Sequence, residues 1–298
     1  MRRPSPLLTL AAAVAVLASA SPGLAESPAL RVATLVPFVD DAMAGLPSDR
    51  ISVVATVRRS MRHPVREGVL DLGNPHSPDL EQLMLARADL VIGDSVVHAP
   101  RAEALARGGA EVLLIDTTRV DSALDGLVEV ANRAGLGDEM GRRVEQAKTR
   151  LTGLRLEAPV RSMTVFAVPG KAMLVTPRSW IGDLLGRLGF VDVAGSLELD
   201  EHPGGFVEIS DEIVAGLQPD WLLIVAHGAP DAVEKAFRRQ LAEGGAWASV
   251  ASSTRGRVRV LAPRYFSANP GLGMPEAARW LVEAIENDAA PVAESAAR

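Results

Sequence analysis

The sequence predicts an α/β protein of two similar lobes joined by a single long helix, with a ligand cleft between the lobes. Three observations carry that prediction. The 298 residues exceed what one compact core usually holds. Short β-branched runs alternate with amphipathic stretches in both halves. Between the halves, from Asp121 to about Leu154, lies almost unbroken helix-forming sequence.

In the first half, Leu30 to Leu35, Ile51 to Thr56, Asp89 to Ile92 and Val112 to Ile115 read as strands. In the second, Met163 to Val168, Met173 to Thr176, Trp221 to Val225 and Val258 to Leu261 do the same. Strands alternating with helices imply largely parallel sheets, so each lobe is expected to be Rossmann-like. The central helical stretch is interrupted only at "AGLGDE", Ala134 to Glu139, and its second part is heavily charged. It is too polar for a core element and too long for a routine crossover, which makes it a brace between lobes. The expected divisions are a leader over 1–25, one lobe over 26–136, the linking helix over 137–158 and a second lobe over 159–298.

An internal echo supports the two-lobe reading. "SPDLEQLMLARADLVIGD", Ser77 to Asp94, is matched by "EISDEIVAGLQPDWLLIVAH", Glu208 to His227. Each has a helix start, a glutamate in the first turn (Glu81, Glu212) and an aspartate eight residues later (Asp89, Asp220) that opens an apolar strand. The helix starts are Ser or Pro-Asp, and Ser77 looks like a cap.

The amino terminus directs the chain out of the cytoplasm. Arg2 and Arg3 precede an apolar run from Leu7 to Ala18, and Gly23-Leu24-Ala25 has the small residues of a signal-peptidase site. The run is too short to span a bilayer comfortably. There is no cysteine, hence no disulfide, no thiolate metal site and no lipid anchor at the cleavage point. A free periplasmic protein is expected. Removing the leader takes away Arg2 and Arg3 and no acid, so the formal charge of −6 becomes −8. That balance argues against a nucleic-acid partner.

Catalytic signatures are nearly empty. There is no G-x-S-x-G, no H-E-x-x-H, no P-loop and no cysteine nucleophile. An exported α/β hydrolase would need a nucleophile beside a histidine and a third orienting group, and no such local pattern stands out.

Five histidines remain: His63, His76, His98, His202 and His227. His76 lies in "GNPHSPDLEQL" just before a helix, and His227 follows the apolar strand "WLLIVA". Each is at an element end of its own lobe, the edge where ligands collect in α/β proteins. One imidazole from each lobe, facing across a cleft, suits an iron porphyrin, whose axial positions lie on opposite faces of the ring. The plain alternative is a locally packed loop imidazole in each case. His63, His98 and His202 read as surface or secondary positions.

Arg58, Arg59 and Arg62 in "VRRSMRHP" offer guanidinium groups for ligand carboxylates, with Arg178 and Arg264 as second-lobe counterparts. Met61, Met173, Trp180, Tyr265 and Phe266 are candidate apolar walls, although such residues are often core.

These segments, with "PRSWIGDLLGRLGF" at Pro177 to Phe190 and the ending at Trp247, Gly256, Arg257 and Val258, resemble the solute-binding proteins of ABC importers for iron siderophores, haem and cobalamin. The resemblance covers nearly all of the chain after the leader. It implies two α/β lobes on a rigid helix, no reaction, modest closure, a monomer, and partners in a membrane permease and its ATPase. It also implies that Glu81 and Glu212 meet permease arginines; an ordinary first-turn acid is the plain alternative.

"PGKAMLVTPRSWIGDLL", "GNPHSPDLEQL" and "AHGAPDAVEKAF" look most like the haem-receptor lipoproteins of Gram-positive iron-uptake systems. There the loop reads G-N-P-M, so His76 takes the methionine's place and His227 that of the second axial ligand. The implied cargo is haem bound by two imidazoles, with His76, His227, Arg58, Arg59, Arg62, Arg178 and Tyr265 as its contacts. A ferric siderophore, a corrinoid or a Zn²⁺ or Mn²⁺ ion held with a third histidine and Asp94 remain alternatives.

Overall fold

A computed structural model of the chain describes residues 28–58, 65–168, 171–195, 197, 202, 204–227 and 230–289. The leader over 1–25 and the residues Arg59, Met61, Arg62 and His63 lie outside the described residues.

The first lobe runs β1 (Leu30–Thr34), α1 (Pro37–Met43), β2 (Ile51–Thr56), β3 (Leu70–Asp71), a hairpin of β4 (Gly73–Asn74) and β5 (Ser77–Pro78), α2 (Leu80–Leu85), β6 (Leu90–Asp94), α3 (Ala102–Leu105) and β7 (Glu111–Ile115). Its sheet has the order β3-β2-β1-β6-β7, and every pairing is parallel. β6 is buried at all five positions, as expected of a central parallel strand covered on both faces.

Two helices follow, α4 (Val120–Arg133) and α5 (Gly137–Thr152). The break in "AGLGDE" is a helix end of the Schellman type. Gly135 takes the left-handed conformation (φ 67°), the Leu136 amide donates to the Ala131 carbonyl at 2.9 Å and the Gly135 amide to Asn132 at 3.0 Å. The linking helix ends at Thr152, six residues before the expected 158, because Gly153 closes it and the Leu156 amide turns to the Leu188 carbonyl at 2.9 Å. Nor is α5 excluded from the core by its charge. Met140, Val144, Ala147 and Leu151 recur at three- and four-residue steps and are buried, which leaves the charged side chains on the outer face.

The second lobe runs β8 (Val160–Val168), β9 (Lys171–Val175), α6 (Trp180–Leu188), β10 (Phe190–Asp192), β11 (Phe206–Glu208), α7 (Asp211–Ala215), β12 (Trp221–Ala226), α8 (Pro230–Glu243), α9 (Ala248–Thr254), β13 (Val258–Val260), α10 (Pro263–Phe266) and α11 (Met274–Ala289). Its sheet order is β11-β9-β8-β12-β13, with β10 beside the start of β8. β8, β12 and β13 are parallel, and β9 runs antiparallel to β8 and β11.

The sequence echo has a counterpart in three dimensions. β6 sits between β1 and β7 as β12 sits between β8 and β13. The Asp89 amide donates to the Arg31 carbonyl at 2.8 Å, and the Asp220 amide to the Arg161 carbonyl at 2.8 Å. Each arginine then reaches a carbonyl of the segment before the aspartate's strand, Arg31 to Ala86 at 2.8 Å and Arg161 to Gln218 at 3.2 Å. The first cap differs from expectation. Ser77 belongs to the hairpin, and Asp79 caps α2, accepting the Glu81 and Gln82 amides at 2.9 and 3.0 Å.

The largest buried apolar cluster does not stop at the lobe boundary. Ile92 of the first lobe, Leu124 and Val144 of the helical pair, and Leu184, Leu223 and Leu281 of the second lobe all belong to it. Smaller cores lie on the outer faces of each sheet. A shared core of this kind resists large relative rotation of the lobes, because opening it would expose apolar surface.

Candidate functional site

His76 stands at the tip of the β4–β5 hairpin, where Pro75 and His76 form a two-residue turn. Gly73 enters the hairpin with φ at 76°, which favours glycine. The His76 amide donates to the Asn74 side-chain oxygen at 2.8 Å. Both carbonyls of the turn are also held. The His98 ring nitrogen Nε2 donates to the Pro75 carbonyl at 2.7 Å, and Arg101 donates to the His76 carbonyl at 2.6 Å.

His98 follows the carboxyl end of β6, so the hairpin lies over the carboxyl edge of the first sheet. Of the three histidines read as surface or secondary, this one is buried, with 2% of its surface exposed.

His227 is the first residue after β12, at the corresponding edge of the second sheet. Its amide donates to the Ala167 carbonyl at 2.9 Å. Its ring lies 5.7 Å from that of Phe166, which meets Phe206 edge-on at 5.6 Å. These two half-buried rings form an aromatic wall beside the imidazole. Sequence reasoning missed both, although the alternation of β8 puts Phe166 on the face opposite the buried Val165 and Ala167.

The His76 ring feels the field of its surroundings. The His76 imidazole is pushed below the ordinary histidine value, first by desolvation and then by the positive fields of His98, His227 and Arg101, against which Asp94 pulls upward. A side chain at the rim of a cleft reaches solvent and still loses part of its hydration to the walls, and His76 is in that position. Its ring is therefore neutral at pH 7, the form that binds a metal.

Arg58 is engaged at the base of the hairpin, its guanidinium paired with the Asp71 carboxylate and its amide bonded to the Gly73 carbonyl at 3.1 Å. Arg178 is exposed in the turn before α6, where its amide donates to the Thr176 hydroxyl at 3.3 Å. Tyr265 carries the Arg264 guanidinium 4.5 Å above its ring. The two line a cavity of about 370 Å³ between α1 and residues 264–276, with Phe38, Asp41 and Asn269. Phe266 is core, 1% exposed, and so is no cleft wall; the half-buried Trp180 stacks on it at 6.3 Å.

Glu81 and Glu212 are exposed in the first turns of α2 and α7. Among the described residues no three His, Cys, Asp or Glu side chains converge as a metal site. Two of the side chains open to a Zn²⁺ or Mn²⁺ reading, His98 and Asp94, are already engaged. Both nitrogens of His98 are bonded, and the Asp94 carboxylate accepts the Val96 and Val97 amides at 2.7 Å and the Thr117 hydroxyl.

Residues 32–265 match the family model described as periplasmic binding protein. The chain belongs to the periplasmic binding protein family. It is a family of solute-binding proteins and not of enzymes. This periplasmic binding protein is 20% identical over 184 residues to the high-affinity heme uptake system protein IsdE of Staphylococcus aureus, covering 60% of this chain and 61% of that one. It is 28% identical over 199 residues to the Fe(3+) dicitrate-binding periplasmic protein FecB of Escherichia coli K12, covering 63% and 64%. The matched stretch thus spans less than two thirds of either relative.

Among solved structures, an ABC transporter substrate-binding protein from Listeria monocytogenes EGD-e superposes with a TM-score of 0.71 at 20% identity, over 86% of this chain and 98% of that one. IsdE of S. aureus in complex with heme gives 0.65 at 17%, over 85% and 98%. The likeness at this identity is one of fold. Among the described residues no helix is long and apolar enough to cross a membrane.

Proposed function

We propose that this periplasmic binding protein captures haem and delivers it to an inner-membrane ABC permease, working as a monomer in the periplasm. The observation that carries the reading is the His76–His227 pair. Each ring stands at the carboxyl edge of its own sheet, and a charge on His227 is near enough to lower the proton affinity of His76. A planar iron porphyrin between the lobes would present one axial position to each ring. The Phe166 and Phe206 rings would flank its second face. The heme uptake named for IsdE points the same way.

Two neutral imidazoles would give a lower iron potential than a methionine–histidine pair. Haem propionates would find Arg178 on the second lobe, and Arg59 and Arg62 beyond Arg58, whose own guanidinium is shared with Asp71. Glu81 and Glu212, one on each lobe, would face permease arginines.

The Fe(3+) dicitrate bound by FecB favours a second reading, capture of a ferric chelate, in which the histidines coordinate nothing. A hemin titration read by absorbance separates the two. A shifted Soret band in the purified protein that weakens in His76→Ala and His227→Ala supports haem. Absence of the band, or a band indifferent to both substitutions, overturns it, and quenching of tryptophan fluorescence by ferric citrate would then support the chelate.

A further inference from the structure

We propose that His98 is the positioning residue of the His76 turn, a buried imidazole wedged between two backbone groups that holds the Pro75–His76 peptide and so aims the His76 ring into the cleft. The inference rests on the reading of His76 as a ligand.

The ring of His98 leaves little freedom in how its nitrogens are used. Nδ1 accepts the Asp94 amide at 2.8 Å, and a backbone amide can only donate. The proton therefore resides on Nε2, which gives it to the Pro75 carbonyl at 2.7 Å. One ring thus spans from the end of β6 to the hairpin 23 residues earlier in the chain. A buried side chain with both polar atoms satisfied is a stiff strut, because releasing either bond strands a desolvated group.

Its anchorage is equally constrained. The Asp94 carboxylate accepts the Val96 and Val97 amides at 2.7 Å and the Thr117 hydroxyl, which fixes the turn that carries His98. The Thr117 carbonyl in turn accepts the Asn269 side chain of the second lobe at 3.3 Å. Gly93 makes the room, since a Cβ there would lie 3.0 Å from the His98 Cβ and 2.8 Å from Leu114. The alternative, that His98 only fills the core, predicts that any residue of similar bulk would serve.

Two substitutions tell these apart. Glutamine extends a donor to the height of Nε2 and keeps the Pro75 bond, whereas asparagine reaches only the height of Nδ1 and loses it. In the full chain, His98→Gln should keep the His76 ring resonances and the hemin affinity of the wild type. His98→Asn should shift those resonances and weaken hemin binding about tenfold or more, the usual scale for losing a partner that orients a metal ligand. Long-range ¹H–¹⁵N correlation on the wild type should show His98 protonated at Nε2.

An Nδ1 proton on His98, or two variants that match the wild type in both readouts, would overturn the proposal. An Nδ1 proton in the wild type overturns it even if a variant does not fold. Failure of the ligand reading is distinguishable, since a wild type without a haem band still reports the His76 resonances in the apo form.

Discussion

The Asp183 carboxylate of α6 accepts the Val120 amide at 2.9 Å, so a residue of the second lobe caps the helix that leaves the first. The helix has no cap of its own, because Arg119 stands at that position and bonds no amide there. The same carboxylate, 8% exposed as a residue, holds the Arg119 guanidinium at 2.7 Å. One turn on, Arg187 grips Asp121 with two bonds at 3.1 and 2.9 Å.

This junction should be costly to open. Asp183→Ala removes a buried cap and leaves only exposed cations behind, for a loss of about 1 to 2 kcal/mol. Urea unfolding followed by circular dichroism would measure it as a lowered midpoint at unchanged slope. A variant as stable as the wild type would show that the lobe contact is incidental.

Two glycines of α6 make a matched pair. A Cβ on Gly182 would lie 2.0 Å from the Thr176 carbonyl oxygen, a backbone atom that cannot rotate away, whereas nothing lies within 4 Å of one on Gly186. Gly182→Ala should therefore destabilise by about 1 to 3 kcal/mol or more. Gly186→Ala should stabilise by about 0.5 to 1 kcal/mol through helix propensity. Thermal unfolding of the two variants in one buffer checks both signs.

His76 should titrate below 6.5 in the apo protein. The sign of the linkage follows. Above 6.5 neither state binds this proton. As the pH falls through that value the unfolded chain binds it first, so stability falls, and the loss is complete once the folded ring is protonated too. Replacing His227 by alanine removes one of the like charges and should raise the His76 value, though not fully, because desolvation is the larger cause. Imidazole resonances followed against pH would test this, and a midpoint at or above 6.5 would contradict it.

Much of the fold is legible in the sequence because buried parallel strands leave unbroken apolar runs. Ile51–Thr56 is read without error, and Trp221–Ala226 differs from its reading by one residue. The break before Gly137 is legible for the same kind of local reason, a glycine at a left-handed helix end. β3, β4, β5, β10 and β11 are two or three residues long, too short for any periodicity to register. At the site, His76 and His227 stand out by their places at element ends. The strut at His98 does not, because its partners, Asp94 apart, lie across the fold, and the aromatic wall depends on β9, β11 and β8 meeting in one sheet.

Whether one imidazole from each lobe grips the same iron can be read from the electron paramagnetic resonance spectrum of the ferric-haem complex. A low-spin ferric signal of the two-imidazole type is expected in the wild type, converted to high spin in His76→Ala and in His227→Ala alike. A high-spin wild-type complex, or a low-spin signal that survives both substitutions, would contradict it.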